Sequence, residues 1–143
     1  MQNTNESLPI AFLVCLVALI SPLILIPIEG IAPYPYVIEE IIKAVFIFTI
    51  IKTSKRHNQL ATMLLAVFLF ALSENIFYSS NFITYGILNS FWKRFLITTT
   101  LHLLTALIIF LPSQKRINLI VPATLLAIAA HYYYNQFVLV AFR

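Results

Sequence analysis

The sequence predicts an all-α, polytopic transmembrane helical bundle with about five spans. Hydrophobic residues make up 61% of the 143 residues, charged residues make up only 10%, and the mean hydropathy is +0.93. Soluble domains are about 45–50% apolar and about 25% charged, so the composition excludes a soluble domain. A disordered tail is excluded too, because it needs low hydrophobicity and high charge. We therefore expect a single transmembrane domain over residues 1–143.

Five stretches come close to the roughly 20 apolar residues that a membrane-spanning helix needs. Each is continuously apolar rather than alternating, which favours helices over strands. The first is interpreted as a retained helix because no basic segment precedes it, and Pro22 and Pro27 are expected to bend or end it. The five predicted spans cover residues 8–28, 36–51, 60–80, 95–111 and 117–142.

Four breaks separate the predicted spans. They are a proline-rich turn over 29–35, a basic loop over 52–59, a longer connection over 81–94 and a short basic turn over 112–116. Lysine and arginine favour cytoplasmic loops. With five spans, the N-terminal side holds five of these residues outside the spans and the other side holds three. This bias predicts a cell-membrane protein with a cytoplasmic N-terminus and an external C-terminus, and it explains the net charge without a nucleic-acid partner.

The few ionisable residues are concentrated inside the apolar stretches. The chain has five acidic residues, all of them glutamate, and three histidines. Five of these eight residues lie within predicted spans: Glu39, Glu40, Glu74, His102 and His131. A charge at the bilayer centre costs about 2.5–3.5 kcal/mol on insertion scales, so such groups generally face the bundle interior and carry function. We therefore interpret these five residues as candidates for a functional site.

Their predicted depths in the membrane agree. Glu74 and His131 each lie 14 residues after the inner start of a span, which is about 21 Å along a helix. His102 lies seven residues from the outer start of its span, or about 10 Å. Glu39 and Glu40 lie close to the outer end of the second span. In a hydrocarbon core about 30 Å thick, these groups converge on one layer in the outer half.

Further polar residues lie one helical turn from these groups, on the same helix faces. Lys43 follows the two glutamates of the second span, Tyr78 follows Glu74 by four residues, and Asn135 follows His131 by four. The second to fifth helices therefore each present a polar patch. The first helix has none and is expected to serve in packing or anchoring.

This set of residues could bind zinc. Two histidines and a glutamate form a common catalytic zinc site that leaves a fourth position open for water. Glu74, His102 and His131 are the candidate ligands. Bound zinc lowers the pKa of that water to about 7, so hydroxide becomes available to attack a peptide carbonyl. A metal-free site is an alternative, in which a glutamate and a histidine activate water directly.

The remaining polar groups would support the same hydrolysis. Glu39 or Glu40 could take the proton from water as a general base. Because adjacent helix positions point about 100° apart, one glutamate is expected to face the site and the other to pair with Lys43. Glu40 is favoured as the base. Asn135 could donate a hydrogen bond to the oxyanion.

Each residue also has a purely structural interpretation. Glu39 with Lys43 could be an ion pair near the interface, Glu74 with Tyr78 could be a hydrogen bond between helices, and the histidines could be satisfied core residues. Cys15 is interpreted as a small apolar residue of the core. The structural interpretations weaken when taken together, because all five ionisable groups share one depth.

Four motifs in this region resemble those of the PrsW family of intramembrane proteases. Residues 39–43 read Glu-Glu-Ile-Ile-Lys, and residues 70–78 contain Phe70, Glu74, Asn75 and Tyr78 in the pattern Phe-x-x-x-Glu-Asn-x-x-Tyr. A histidine follows an arginine and precedes a threonine in a looser match (Arg94, His102 and Thr105). Residues 131–135 match His-x-x-x-Asn. The motifs occur in the family's order and cover roughly residues 39–135.

The resemblance implies a protease of the superfamily that also contains the type II CAAX prenyl endopeptidases. Members of the PrsW family cut single-pass membrane proteins, such as anti-sigma factors, near the outer membrane surface. We therefore expect an intramembrane endopeptidase, of metallo- or glutamic type, that acts on a membrane-anchored protein or peptide within the lipid bilayer. A chain this small could form a homo-oligomer to complete a substrate path.

Two other classes of function stay open at this point. A proton or ion pathway also uses glutamates and histidines inside a membrane, but it would spread them along the membrane normal. A non-catalytic membrane scaffold would keep the fold and lose at least one catalytic group. The sequence places the polar groups in one layer and retains all of them, which favours the protease.

Overall fold

The computed structural model describes residues 7–29, 31–84 and 88–141, and it confirms the all-α bundle. Five α-helices follow one another along the chain, and no strand occurs within these described ranges. A short 3-10 helix, Ile117–Leu119, precedes the last of them. The five are α1 (Ser7–Glu29), α2 (Pro35–Thr53), α3 (Arg56–Thr84), α4 (Leu88–Lys115) and α5 (Ile120–Ala141).

The first four helices are longer than the apolar stretches that predicted them, whereas α5 begins three residues later than its predicted span, after the 3-10 helix. The connection predicted over 81–94 is wrong in extent, because α3 continues to Thr84 and α4 begins at Leu88. The basic loop predicted over 52–59 shortens to Ser54 and Lys55. Hydropathy detects only the part of a helix that can lie in hydrocarbon, whereas backbone hydrogen bonding continues into the interfacial region, where polar and aromatic residues are favoured.

Pro22 and Pro27 were expected to bend or end α1, and neither ends it. α1 passes through Pro22 and Pro27 and ends at Glu29. α4 passes through Pro112 and ends at Lys115, so most of the predicted turn over 112–116 is helical. Proline removes one backbone hydrogen bond, but neighbouring helices and local adjustments make it tolerable within a membrane bundle.

The helices and their exposed surface identify a membrane protein. Three helical stretches in the described residues are long and apolar enough to cross a membrane, namely Arg56–Phe77, Phe91–Lys115 and Ile117–Phe137, and α1 adds a shorter one, Pro9–Leu25. Large apolar side chains cover the outside, and Leu125, for example, is 62% exposed. Contiguous apolar surface of this kind is suited to lipid rather than water.

α2 lies at the centre of the bundle. It contacts each of the other four helices, whereas α1 packs against α2 and α3. Fully buried alanines lie on the other four helices: Ala18, Ala66, Ala106 and Ala127. Small residues let transmembrane helices approach closely, so van der Waals contact extends along their backbones.

The buried face of α2 changes character along its length. Glu39, Glu40 and Lys43 are buried in its first half, and Ile47 and Ile50 are buried in its second half. The buried face of α4 changes in the same way, from His102 and Thr105 to Ile109 and Phe110. The interior therefore consists of an apolar core beside a separate polar layer.

Candidate active site

Seven side chains from four helices form the polar layer. All are buried: Glu40 and Lys43 are 0% exposed, His102 is 1% exposed, and the others are at most 8% exposed. The convergence that depth alone predicted is therefore observed, although its members come from positions as far apart as 39 and 131. The polar layer comprises Glu39, Glu40 and Lys43 of α2, Glu74 of α3, His102 and Thr105 of α4, and His131 of α5.

Lys43 joins α2 to α4. Its Nζ donates to Glu40 Oε1 at 2.5 Å and to Thr105 Oγ1 at 2.9 Å. It also lies 3.0 Å from His102 Nδ1. An ammonium group carries three hydrogens, and these three contacts use all of them. A fully buried charge is stable only when it is paired and hydrogen-bonded, and Lys43 meets both conditions.

The contacts of His102 define which of its ring nitrogens carries the hydrogen. Because an ammonium group only donates, Nδ1 facing Lys43 must accept. The hydrogen of a neutral ring then lies on Nε2, which is 2.7 Å from Glu74 Oε2. Phe70 packs edge-on against the ring with the centroids 5.5 Å apart. His102 therefore connects the cation of α2 to the carboxylate of α3.

A second histidine contacts the glutamates from the other side. His131 Nδ1 lies 2.7 Å from Glu40 Oε1 and 3.8 Å from Glu39 Oε2. A carboxylate can only accept, so Nδ1 is the nitrogen that donates to Glu40. The two imidazole rings pack edge to face with centroids 5.7 Å apart. The lone pair of a neutral His131 ring is then on Nε2.

The structure distributes the two adjacent glutamates differently from the sequence prediction. One glutamate was expected to pair with Lys43 while the other, with Glu40 favoured, served as the base. Glu40 instead makes the pair with Lys43, and Glu39 lies in a cluster with Glu74 and His102. Both glutamates are buried, because α2 is surrounded by helices and has interior neighbours over a wide arc. Glu39, rather than Glu40, therefore lies beside Glu74 and His102.

One group of buried ligand atoms has dimensions suited to a metal ion. Glu39, Glu74 and His102 each offer one atom, and these atoms lie within 4.8 Å of one another. His131 was predicted to belong to this set in place of Glu39, but His131 Nδ1 contacts Glu40. The ligand types, two carboxylates and an imidazole, are among those that zinc takes. The hydrogen on His102 Nε2 would have to leave before that nitrogen could bind a metal.

The supporting residues lie around this layer. Asn135 is half-buried on α5, one turn beyond His131. Asn75 is buried, and its Nδ2 donates to the Ala71 carbonyl at 2.7 Å, while its Oδ1 accepts no hydrogen bond from the described residues. Tyr78 belongs to α3, and its side chain lies outside the described part of the structure. Cys15 is buried in the apolar core, as expected of a core residue.

Two neighbours of the polar layer were not identified from the sequence. The Tyr36 ring lies 5.9 Å from the His131 ring and 6.0 Å from the Tyr132 ring, centroid to centroid. Its position one turn before Glu40 could have indicated this. Thr99 is buried with Oγ1 unpaired among the described residues. Its position within Thr98-Thr99-Thr100 gave no signal, because helix rotation alone decides which threonine faces inward.

Compared with known proteins, the chain matches no family model, no curated protein and no solved structure. The resemblance to the PrsW family therefore depends on the four motifs in the sequence. The motif residues Glu39, Glu40, Lys43, Glu74 and His102 are all members of the polar layer.

Proposed function

We propose that this chain is an intramembrane endopeptidase of the PrsW type, which hydrolyses peptide bonds of membrane-anchored proteins near the outer leaflet. One observation carries the proposal. Glu39, Glu74 and His102 are brought within 4.8 Å of one another inside a membrane bundle. Burying two carboxylates and an imidazole together costs free energy, which a purely structural core would avoid. Clusters of buried ionisable groups are concentrated at functional sites.

The proposed reaction assigns a separate role to each group. Glu39 takes a proton from water as the water oxygen bonds to the carbonyl carbon of the substrate. His102 donates its Nε2 hydrogen bond to the developing oxyanion, and Asn135 supplies a second donor. The carbon–nitrogen bond then breaks, and Glu39 returns its proton to the leaving amine. One water is consumed, and a new carboxyl terminus and a new amino terminus form.

A divalent metal is the alternative means of activating water. Glu39, Glu74 and His102 would hold it, and zinc fits this mixture of oxygen and nitrogen ligands. When bound, zinc would supply a hydroxide near neutral pH. In either case Glu39 and His102 border the reacting position.

An apolar groove beside the site supports a membrane-embedded substrate. It lies between α2 and α5, has a volume of about 480 Å³, and is lined by side chains that include Val37, Ile41 and Ile128. Val37 precedes Glu40 by three residues, and Ile128 precedes His131 by three. The groove thus reaches the level of the polar layer, where a lipid-embedded peptide segment could approach. The proposed location is the cell membrane, with the N-terminus cytoplasmic and the C-terminus external.

Reconstitution into lipid vesicles tests this function. The probe is a pool of single-pass membrane peptides with varied outer juxtamembrane sequences, co-reconstituted with the full chain in H₂¹⁸O. We expect cleavage near the membrane surface, with one ¹⁸O in the new carboxyl group of the product. Glu39→Gln should abolish product formation and leave the helical circular dichroism unchanged.

A matched control makes the test decisive. His57→Gln changes an exposed histidine outside the polar layer, so this variant should cleave as the wild type does. Product at equal rates from wild type and Glu39→Gln would contradict the proposal, and so would the absence of product from folded wild type across the whole pool.

A further inference from the structure

We infer that Lys43 is a positioning residue that fixes the imidazole of His102 in the tautomer with its hydrogen on Nε2. The consequence for hydrolysis rests on the proposed function, but the tautomer itself does not. Lys43 would act through His102 and would not touch the substrate. It would decide which ring nitrogen presents a hydrogen to the reacting position.

The contacts of Lys43 exceed what an ion pair requires. Pairing with Glu40 alone would compensate its charge, at an Nζ to Oε1 distance of 2.5 Å. Lys43 nevertheless extends to α4, where Nζ meets His102 Nδ1 at 3.0 Å and Thr105 Oγ1 at 2.9 Å. The Thr105 hydroxyl, in turn, donates to the backbone carbonyl of His102 at 3.2 Å. Two of the three Lys43 contacts are therefore made to His102 itself or to Thr105, which is hydrogen-bonded to the His102 backbone.

The ring has little freedom to reverse these roles. His102 is 1% exposed, and its other nitrogen lies 2.7 Å from Glu74 Oε2. A ring with its hydrogen on Nδ1 would point that hydrogen at the Lys43 ammonium and its Nε2 lone pair at a carboxylate. Both contacts would then be repulsive, because donor would face donor and acceptor would face acceptor. The tautomer with its hydrogen on Nε2 lets Nδ1 accept from Lys43 and brings a partly positive N–H beside the Glu74 carboxylate.

This arrangement also affects metal binding at the same cluster. A metal ion on His102 Nε2 requires that nitrogen to lose its hydrogen, while Lys43 occupies the lone pair of Nδ1. A neutral imidazole cannot meet both demands, so metal binding and the Lys43 contact compete. Lys43 therefore favours the state in which His102 is a hydrogen-bond donor to the reacting position.

Nitrogen NMR measures the tautomer directly. The full chain, labelled with ¹⁵N-histidine and held in lipid nanodiscs, gives separate ring signals for protonated and unprotonated nitrogens, and a His102→Gln variant assigns the His102 signals. We expect wild-type His102 to carry its hydrogen on Nε2 alone. Lys43→Arg should keep this tautomer, because an arginine side chain also only donates.

A charge-balanced variant removes the effect of Lys43. Glu40→Gln combined with Lys43→Met deletes both charges of the ion pair, so neither is left buried without the other. Glu74 still favours a hydrogen on Nε2, so we expect His102 in this variant to keep that tautomer as the majority and to gain a measurable fraction with its hydrogen on Nδ1. The matched control is Lys52→Met, which changes an exposed lysine of the same helix, and its His102 signals should equal those of the wild type.

The outcomes separate this inference from the proposed function. A wild-type His102 with its hydrogen on Nδ1 would overturn the inference, even if the chain cleaves its substrate. An unchanged tautomer in the charge-balanced variant would overturn it as well. If the tautomers are as expected but the chain cleaves no substrate, the role of Lys43 would be supported and the proposed endopeptidase function would be contradicted.

Discussion

Glu40 Oε1 and His131 Nδ1 lie 2.7 Å apart, although 91 residues separate them in the sequence. The contact joins α2 to α5, and Lys43 joins the same carboxylate oxygen to α4. Glu40 therefore links α2 to α5 and to Lys43. Glu39 lies beside Glu74 and His102, where we propose that the reactant binds. Adjacent residues of one helix thus have different contacts, and we propose different roles for them.

The first prediction separates these two glutamates. Glu40→Gln leaves the Lys43 charge buried without its carboxylate, and breaking a buried pair in this way costs about 3–5 kcal/mol. Glu39→Gln should cost about 1 kcal/mol or less, because a glutamine side chain keeps its hydrogen-bonding capacity. Unfolding in mixed detergent, followed by circular dichroism, measures both free energies.

Cleavage activity should depend strongly on Glu39, although the free energy of unfolding should not. A general base contributes roughly 10²–10⁴-fold to a rate, so Glu39→Gln should lose that factor in cleavage while remaining folded. An equal loss of stability in the two variants, or a catalytically normal Glu39→Gln, would contradict the division of roles.

The second prediction concerns zinc. Lys43 competes with a metal at His102 both by its hydrogen bond to Nδ1 and by its positive charge. Deleting a hydrogen bond to a charged group is worth about 1.5–3 kcal/mol, and each 1.4 kcal/mol is about tenfold in affinity. Glu40→Gln combined with Lys43→Met should therefore bind zinc about 10–100-fold more tightly than wild type.

Calorimetric titration of zinc into the two proteins measures this difference. Adding Glu39→Gln to the charge-balanced variant should weaken binding again, whereas adding His131→Gln should not. Loss of zinc binding on substitution of His131 would instead support the ligands predicted from the sequence, which are Glu74, His102 and His131. Tighter binding by the wild type would contradict competition by Lys43.

The third prediction tests a polar contact at the opposite end of the bundle. Gln59 of α3 is buried, and its Nε2 donates to the carbonyls of Ile51 at 3.1 Å and Ser54 at 3.0 Å. Its Oε1 accepts from Gln114 of α4 at 3.1 Å. Gln59→Ala leaves these groups unpaired, at a cost of about 1–3 kcal/mol for each one that stays buried.

Thermal unfolding in detergent measures this effect. The matched control is Asn58→Ala, which changes the exposed neighbouring residue and should leave the melting temperature within about a degree of wild type. Cleavage by the Gln59→Ala protein should be normal at temperatures where it is folded. Equal melting temperatures for the two variants would show that these hydrogen bonds contribute nothing to stability.

The sequence predicted the bundle and the residues of its polar layer, because hydrophobic runs and intramembrane charges are local features. Spacing along each helix was enough to place Glu74, His102 and His131 at similar depth. It was not enough to determine their contacts. Which glutamate faces Glu74, and that Lys43 reaches His102, depend on how α2 and α4 rotate about their axes. That rotation is decided by packing, including the close approach of small residues such as Ala106.

The helix ends were missed for a related physical reason. Hydropathy falls where a helix leaves hydrocarbon, but the helix itself continues as long as its backbone remains bonded. Trp92 and Lys93 therefore lie within α4, although their polarity and size predicted a connection. The sequence left open whether Pro22 bends or ends its helix, and α1 continues through it because a membrane bundle tolerates proline within a helix.

The most direct measurement of the central claim is single-turnover cleavage by His102→Gln beside His57→Gln. Both variants remove one imidazole, but only His102 belongs to the polar layer, and His57 is exposed. With a cleaved peptide from the reconstituted pool as substrate, we expect the His102 variant to lose about 10²–10⁴-fold in rate and the His57 variant to match wild type. A His102 variant that is folded and cleaves at the wild-type rate would contradict a hydrolytic site built around this imidazole.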